Sequence, residues 1–143
     1  MRLTIEDILK EKGSEVFAIT PENSVFEAID EMNQKGVGAL LVMHAGKIEG
    51  IISERDYARK IVLKGKSSKN TLVKDVMTCN PFYAKPKQNV HECMQLMTEK
   101  RIRHLPVTEG DSLLGMISIG DLVSAVIKEQ QFQIDQLKQY ISQ

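Results

Sequence analysis

A duplicated segment constrains this chain more than any other feature. Gly50-Ile51-Ile52-Ser53-Glu54-Arg55-Asp56 returns as Gly115-Met116-Ile117-Ser118-Ile119-Gly120-Asp121, 65 positions later. The same shift carries Val16–Val62 onto Pro81–Ile127 without a gap. Phe17, Pro21, Val25, Glu27, Met32, Lys35, Leu40, Val42, Gly50, Ile52, Ser53 and Asp56 each meet their own residue type again. A supersecondary unit repeated in this way does not bury its apolar face alone. Two copies are therefore expected to pack about a pseudo-twofold axis and leave two equivalent clefts. Differences between the copies then carry functional information.

The length of 143 residues suits one compact domain or two intimately packed halves. Nineteen basic and nineteen acidic residues cancel, which argues against a nucleic-acid partner. The two cysteines do not make a disulfide framework. Cys93 falls on the apolar face of an expected helix, and the pattern suits a reducing compartment. Met1-Arg2-Leu3-Thr4-Ile5-Glu6-Asp7 is acidic where a signal peptide is apolar, and no apolar run reaches the roughly 20 residues of a bilayer span. The expectation is a soluble, cytoplasmic protein with no membrane partner.

Thr4-Ile5-Glu6-Asp7 reads as a capping box opening a short helix through Leu9, with Gly13 as a stop. Val73-Lys74-Asp75-Val76-Met77 is its counterpart, at an offset of 68. In the repeat itself, Val16–Ile19 forms a strand ended by Pro21. Ser24-Val25-Phe26-Glu27 and Asn89-Val90-His91-Glu92 are capping boxes. Val25, Ala28, Ile29 and Met32, mirrored by Val90, Cys93, Met94 and Met97, make one helical face. Gly36 suits a helix C-terminus, but its partner is Arg101, so the second helix is expected to end differently. Ala39–Met43 with Ile48–Ile52, and Leu105–Val107 with Leu113–Ile117, form hairpins. Helices follow over Tyr57–Leu63 and Leu122–Glu129. The fold class is α/β, each copy strand–helix–strand–strand–helix. The expected organisation is 1–65 for the first repeat with its N-terminal helix, 66–128 for the second, and 129–143 for a helical extension. In that extension Ile134, Leu137 and Ile141 form an apolar stripe that either packs back on its own domain or contacts a second copy.

Ser53-x-x-Asp56 and Ser118-x-x-Asp121 can be read as plain capping boxes. Two features add to that reading. Gly50 and Gly115 lie three residues before each Ser, where a missing Cβ admits close approach of another group. Strand-to-helix junctions also present N–H groups that suit phosphate, and an ionised carboxylate suits paired hydroxyls such as a ribose diol.

Gly-h-h-Ser-x-x-Asp, twice, each after strand–helix–strand (h, an apolar residue), resembles a tandem pair of CBS (cystathionine β-synthase) domains, a Bateman module. Arg101-Ile102-Arg103-His104-Leu105-Pro106-Val107 resembles a run frequent in second CBS repeats. The resemblance covers nearly the whole chain and implies binding of adenosine-containing ligands: AMP, ADP, ATP, NAD(H) or S-adenosylmethionine. It implies that Asp56 and Asp121 hold ribose, with Ser53 and Ser118 beside them. It further implies that Ile19, Thr20, Val37, Gly38 and Ala39, and in the second copy Ala84, Lys85, Ile102, Arg103, His104 and Pro106, line the ligand. The copies diverge where phosphate would sit. Arg103 and His104 replace Gly38 and Ala39, Lys85 replaces Thr20, and Gly120 replaces Arg55. Arginine grips phosphate through a planar fork of donors.

Three functions are open at this point. The first is a non-catalytic sensor that binds an adenine nucleotide between the repeats and signals to a regulated protein. The second is a ligand-free dimerisation module, favoured by the tail stripe, and a homodimer is expected. The third is an enzyme, which the sequence disfavours. His44, His91 and His104 lack metal-ligand spacing, and neither a nucleophile elbow nor a Walker A loop occurs. Neither a catalytic residue, a metal nor a catalytic cofactor is expected.

Overall fold

The computed structural model describes residues 3–142. The elements are α1 (Ile5–Lys12), β1 (Ala18–Ile19), α2 (Val25–Lys35), β2 (Ala39–His44), β3 (Lys47–Ser53), α3 (Glu54–Asp56), β4 (Thr78–Cys79), α4 (Val90–Lys100), β5 (His104–Glu109), β6 (Ser112–Ser118) and α5 (Ile119–Ser142). The chain divides into two compact units, one of Glu15–Phe82 and one joining the N-terminal segment through Ser14 to Tyr83 onward.

The repeat is visible bond by bond. β1 runs parallel to β2, with Ile19 opposite Val42. The second repeat keeps this pairing as a single parallel bridge, Ala84 opposite Val107. β2–β3 and β5–β6 are antiparallel hairpins that slip register at the same place, after Val42 and after Val107. Such a shared irregularity marks a bulge built into both copies. Corresponding side chains fill the two cores. Val25, Ala28, Met32, Leu40, Val42 and Ile52 are buried in one, and Val90, Cys93, Met97, Leu105, Val107 and Ile117 in the other.

The compact units do not break where the repeat breaks, because each repeat is completed by the segment that leads into the other. α1 carries Ile5 and Ile8 into the core of the second repeat, and Val73 and Val76 enter the core of the first. Burying four such side chains stabilises the pairing by about 1.5–3 kcal/mol each. The backbone follows the same rule. Ile5 N–H donates to the Gln88 carbonyl and Val90 N–H to Leu3, both at 3.0 Å. Val73 N–H donates to Asn23 and Val25 N–H to Thr71, both at 2.8 Å.

Local chemistry explains most boundaries and corrects several expectations. Thr4 and Asp7 close their capping box, but α1 runs on to Lys12 rather than ending at Leu9, and Gly13 N–H then caps onto the Leu9 carbonyl. The counterpart segment is only a single 3₁₀ turn over Val73–Asp75, followed by β4 alongside β3. Ser24 and Glu27 close a box on α2. On α4, Asn89 Oδ1 instead takes the His91 N–H at 2.7 Å. Arg101 overturns the expectation of a different helix end. It adopts a left-handed φ of 56°, as Gly36 does at 67°, and each N–H reaches the methionine carbonyl four residues back. Past α3 the chain widens into a π-helix over Tyr57–Val62, with Leu63 N–H on the Ala58 carbonyl at 3.1 Å. The first strand is shorter than expected, and the last helix is one continuous rod that absorbs the tail. Among the described residues no helix is long and apolar enough to cross a membrane.

Candidate functional site

Each β-hairpin delivers its chain to a Ser-x-x-Asp junction, and the two junctions are built alike. Ala39 pairs with Ser53 across one hairpin, and His104 with Ser118 across the other. Glu54 N–H then donates to the Gly38 carbonyl at 3.0 Å, and Ile119 N–H to the Arg103 carbonyl at 2.8 Å. These bonds hold the start of the second strand against the start of the following helix. Residues the sequence singled out from separate segments are thereby neighbours: Gly38, Ala39, Ser53 and Asp56 in one unit, Arg103, His104, Ser118 and Asp121 in the other.

Both aspartates cap their helices. Asp56 Oδ2 accepts Ser53 N–H at 2.9 Å and Ser53 Oγ–H at 3.1 Å, and Asp56 N–H donates back to Oγ at 3.2 Å. Asp121 Oδ2 accepts Ser118 N–H at 2.8 Å, and Asp121 N–H donates to Ser118 Oγ at 3.1 Å. Each carboxylate also meets a lysine that the sequence reading missed. Lys60 Nζ lies 3.0 Å from Asp56 Oδ1 and donates to the Val76 carbonyl at 2.7 Å. Lys12 Nζ lies 2.6 Å from Asp121 Oδ2 and donates to the Met116 carbonyl at 2.7 Å. Each lysine therefore clips a lead-in segment to a Ser-x-x-Asp junction. Lys60, four residues beyond Asp56, carried a readable i,i+4 signal. Lys12 carried none, since 109 residues separate it from Asp121.

The close approach that Gly50 and Gly115 permit is by protein. A Cβ on Gly50 would sit 2.6 Å from the Thr78 carbonyl oxygen and 3.0 Å from Met77 Sδ. On Gly115 it would sit 2.8 Å from Leu9 Cδ2. Leu9 and Met77 are equivalent positions of the two lead-ins, so the glycines are notches for them.

The remaining candidates divide by exposure. Thr20 and Lys85 are exposed at the ends of the first strands. Their N–H groups donate to Asn23 Oδ1 at 3.1 Å and Gln88 Oε1 at 2.7 Å. Ile19, Val37, Gly38, Arg55, Ile102 and His104 are half-buried, and Arg103 is exposed. Ala39, Ala84 and Pro106 are buried in the strand pairings. Val37 and Gly38 also border a cavity of about 520 Å³ against α2 that includes Phe26, Asp30 and Glu54. Its charged lining residues are those two acids, and Lys69 Nζ lies 4.8 Å from the centre of the Phe26 ring.

The second junction is the more basic and the more open. The Asp121 side chain is 24% exposed, against 12% for Asp56. Burial alone raises the Asp121 pKa, but the Lys12 ammonium and the Ser118 donors outweigh it and hold the carboxyl below its ordinary value. The charges of Lys12, Asp121 and the adjacent Arg103 act on His104. Burial first, then the two cations, against the opposing pull of Asp121, lower its pKa from 6.5 to about 4. The imidazole is therefore neutral at pH 7. The unfolded chain takes up this proton on acidification before the folded chain does, so stability is complete above pH 6.5 and falls as pH drops toward about 4. The depressed Asp121 pKa acts in a lower window: its contribution is present above 3.8 and is lost as pH falls through its folded value. Urea melts from pH 7 to 4 are expected to show the first loss, and His104→Gln to flatten it. An unchanged slope in that variant would contradict the assignment.

The model of the CBS domain family matches residues 5–63 and 73–128. The CBS domain-containing protein CBSX3, mitochondrial, of Arabidopsis thaliana is 42% identical over 147 residues, spanning 96% of this chain and 71% of that protein. A putative signal-transduction protein with CBS domains from Burkholderia ambifaria is 50% identical, with a TM-score of 0.86 over 90% of this chain and 96% of that one. The CBS domain pair of protein MJ0100, solved with 5′-methylthioadenosine and S-adenosyl-L-methionine, shares the fold at 21% identity. Its TM-score is 0.78 over 91% of this chain and 99% of that one. Two matched repeats, the doubled hairpin-and-cap geometry and these relatives together show that the chain belongs to the CBS domain family, as a tandem pair.

Proposed function

We propose that this chain is a non-catalytic regulatory module that binds an adenosine-containing nucleotide (AMP, ADP, ATP or NAD(H)) and signals to a regulated protein. One observation carries the reading: the Asp121 junction joins a carboxylate suited to ribose hydroxyls with Lys12, a cation suited to phosphate, and the Arg103 backbone is bonded to Ile119 of the same junction. The adenosine-containing ligands of the MJ0100 pair support the ligand class. In this reading Asp121 orients the sugar, Ser118 assists, and Lys12 exchanges its carboxylate partner for ligand phosphate. Because Lys12 sits on α1, ligand binding biases α1, which supplies the differential affinity that signalling needs. The module works as a homodimer in the cytoplasm, where an exposed free Cys79 and a buried Cys93 remain reduced.

Thermal shift of the full chain with AMP, ATP, NADH and S-adenosylmethionine tests this. Ligand at a hundred times its Kd stabilises by about 2.7 kcal/mol, a rise of several degrees. No rise with any of the four at millimolar concentration would refute nucleotide sensing. A second reading, a ligand-free dimerisation module, is favoured by the exposed apolar tail of α5 and would survive that outcome.

A further inference from the structure

α5 has two faces with different fates. Leu122 is buried, and Ile119, Ala125 and Val126 pack against the same core. Residues 130–142 touch no core and are all exposed. A second set of apolar side chains stays outside along the same rod, beside the exposed Phe132 and Tyr140: Val123, Ile127, Ile134, Leu137 and Ile141. With Gln130 they alternate four and three residues apart from Val123 to Ile141, the a/d pattern of a coiled-coil seam. The seam is about 28 Å long at 1.5 Å per residue. The exposed part, residues 130–142, is a helical segment short enough to be marginal in water on its own.

We propose that this seam pairs with the same seam of a second copy, forming a parallel two-stranded coiled coil. The proposal deepens the homodimer reading above by naming its surface. The occupant follows from the seam's chemistry. All three a positions (127, 134 and 141) are isoleucine, and the d positions flanking Gln130 are Val123 and Leu137. β-branched a positions, here with Leu137 at d, favour two parallel strands, and the polar Gln130 layer meets its own kind only when the two copies lie in register. The flanks carry a single charge and do not oppose self-pairing. The g positions are Val126, Gln133 and Tyr140, and the e positions are Ser124, Gln131 and Lys138. In parallel register Gln133 faces Lys138 of the other copy, so like charges do not meet. A different charged helix would find no complementary row there to select it. A twofold dimer needs one self-complementary patch, and this seam is one.

The test uses the full chain with Cys79→Ser, carrying one new cysteine at position 130, 134, 141 or 139. Oxidation is expected to cross-link Gln130→Cys, Ile134→Cys and Ile141→Cys, while Gln139→Cys, on the outer face, stays at least tenfold less cross-linked. Only parallel, in-register strands bring both 130 and 141 to their own copies. Ile134→Asp, at an exposed site that leaves the cores intact, is expected to weaken dimerisation at least tenfold in sedimentation equilibrium. A dimer indifferent to Ile134→Asp, or equal cross-linking at 139, would overturn the seam while leaving a homodimer through another surface. A chain that is monomeric without any substitution would overturn both.

Discussion

Gly50→Ala is expected to cost about 2–3 kcal/mol of stability, and Gly115→Ala less than about 1 kcal/mol, although the two glycines occupy the same place in the repeat. The difference lies in what each added methyl meets. At Gly50 the obstacle is the Thr78 backbone oxygen at 2.6 Å, fixed because β4 is hydrogen-bonded to β3 there, with Gly50 opposite Cys79 and Ile51 opposite Thr78. Relieving the clash means parting those strands. At Gly115 the obstacle is Leu9 Cδ2 at 2.8 Å, the far end of a side chain that can turn aside. Alanine also limits the unfolded chain more than glycine does, which returns about 0.4–1 kcal/mol in both cases. Denaturant melts of the two full-length variants provide the comparison. Adding Met77→Ala to Gly50→Ala should not restore the loss, because the carbonyl remains. Equal losses at the two glycines would show that β4 yields as readily as Leu9.

The repeat made the fold legible because it is written in side chains that fill equivalent core positions. Val25 and Val90, Met32 and Met97, and Leu40 and Leu105 are identical pairs and are buried alike. The junctions were legible for a local reason, since Ser and Asp three residues apart form one hydrogen-bonded ring. What stayed hidden is non-local. The exchange of lead-ins depends on Ile5 and Val73 docking onto distant segments, and their own sequence reads only as short apolar turns. Lys12 is invisible for the same cause, because its partner is set by where α1 docks. Arg101 was misread for a different reason. Propensity disfavours a left-handed arginine by about 1–2 kcal/mol, but tertiary geometry overrides it. Ile102 N–H must return to the Met97 carbonyl, as Val37 returns to Met32, for β5 to enter its hairpin.

Asp121→Asn is expected to weaken binding of AMP at least tenfold, about 1.4 kcal/mol, while Asp56→Asn weakens it by less. The amide keeps the size of the carboxylate but replaces one acceptor oxygen with a donor, so it cannot take both hydroxyls of a ribose. Asp56 is the poorer candidate because Ser53 engages one of its oxygens and Lys60 the other, and because it is half as exposed as Asp121. At Asp121 the donors named above converge on Oδ2. Lys12→Met separates the two tasks of the site. Without the ammonium, AMP loses a phosphate contact, whereas adenosine loses nothing and gains a carboxylate no longer held by a cation. The ratio of AMP to adenosine affinity is therefore expected to fall about tenfold in Lys12→Met and to stay near its original value in Asp121→Asn. Titration calorimetry of the three full-length variants measures both ratios, with melting temperatures taken alongside to show that each remains folded. Unchanged AMP affinity in a folded Asp121→Asn would mean that this carboxylate serves only its helix and Lys12. A Lys12→Met variant that still favours AMP over adenosine to the original degree would place the phosphate away from α1, and the coupling of ligand to that helix would fail with it.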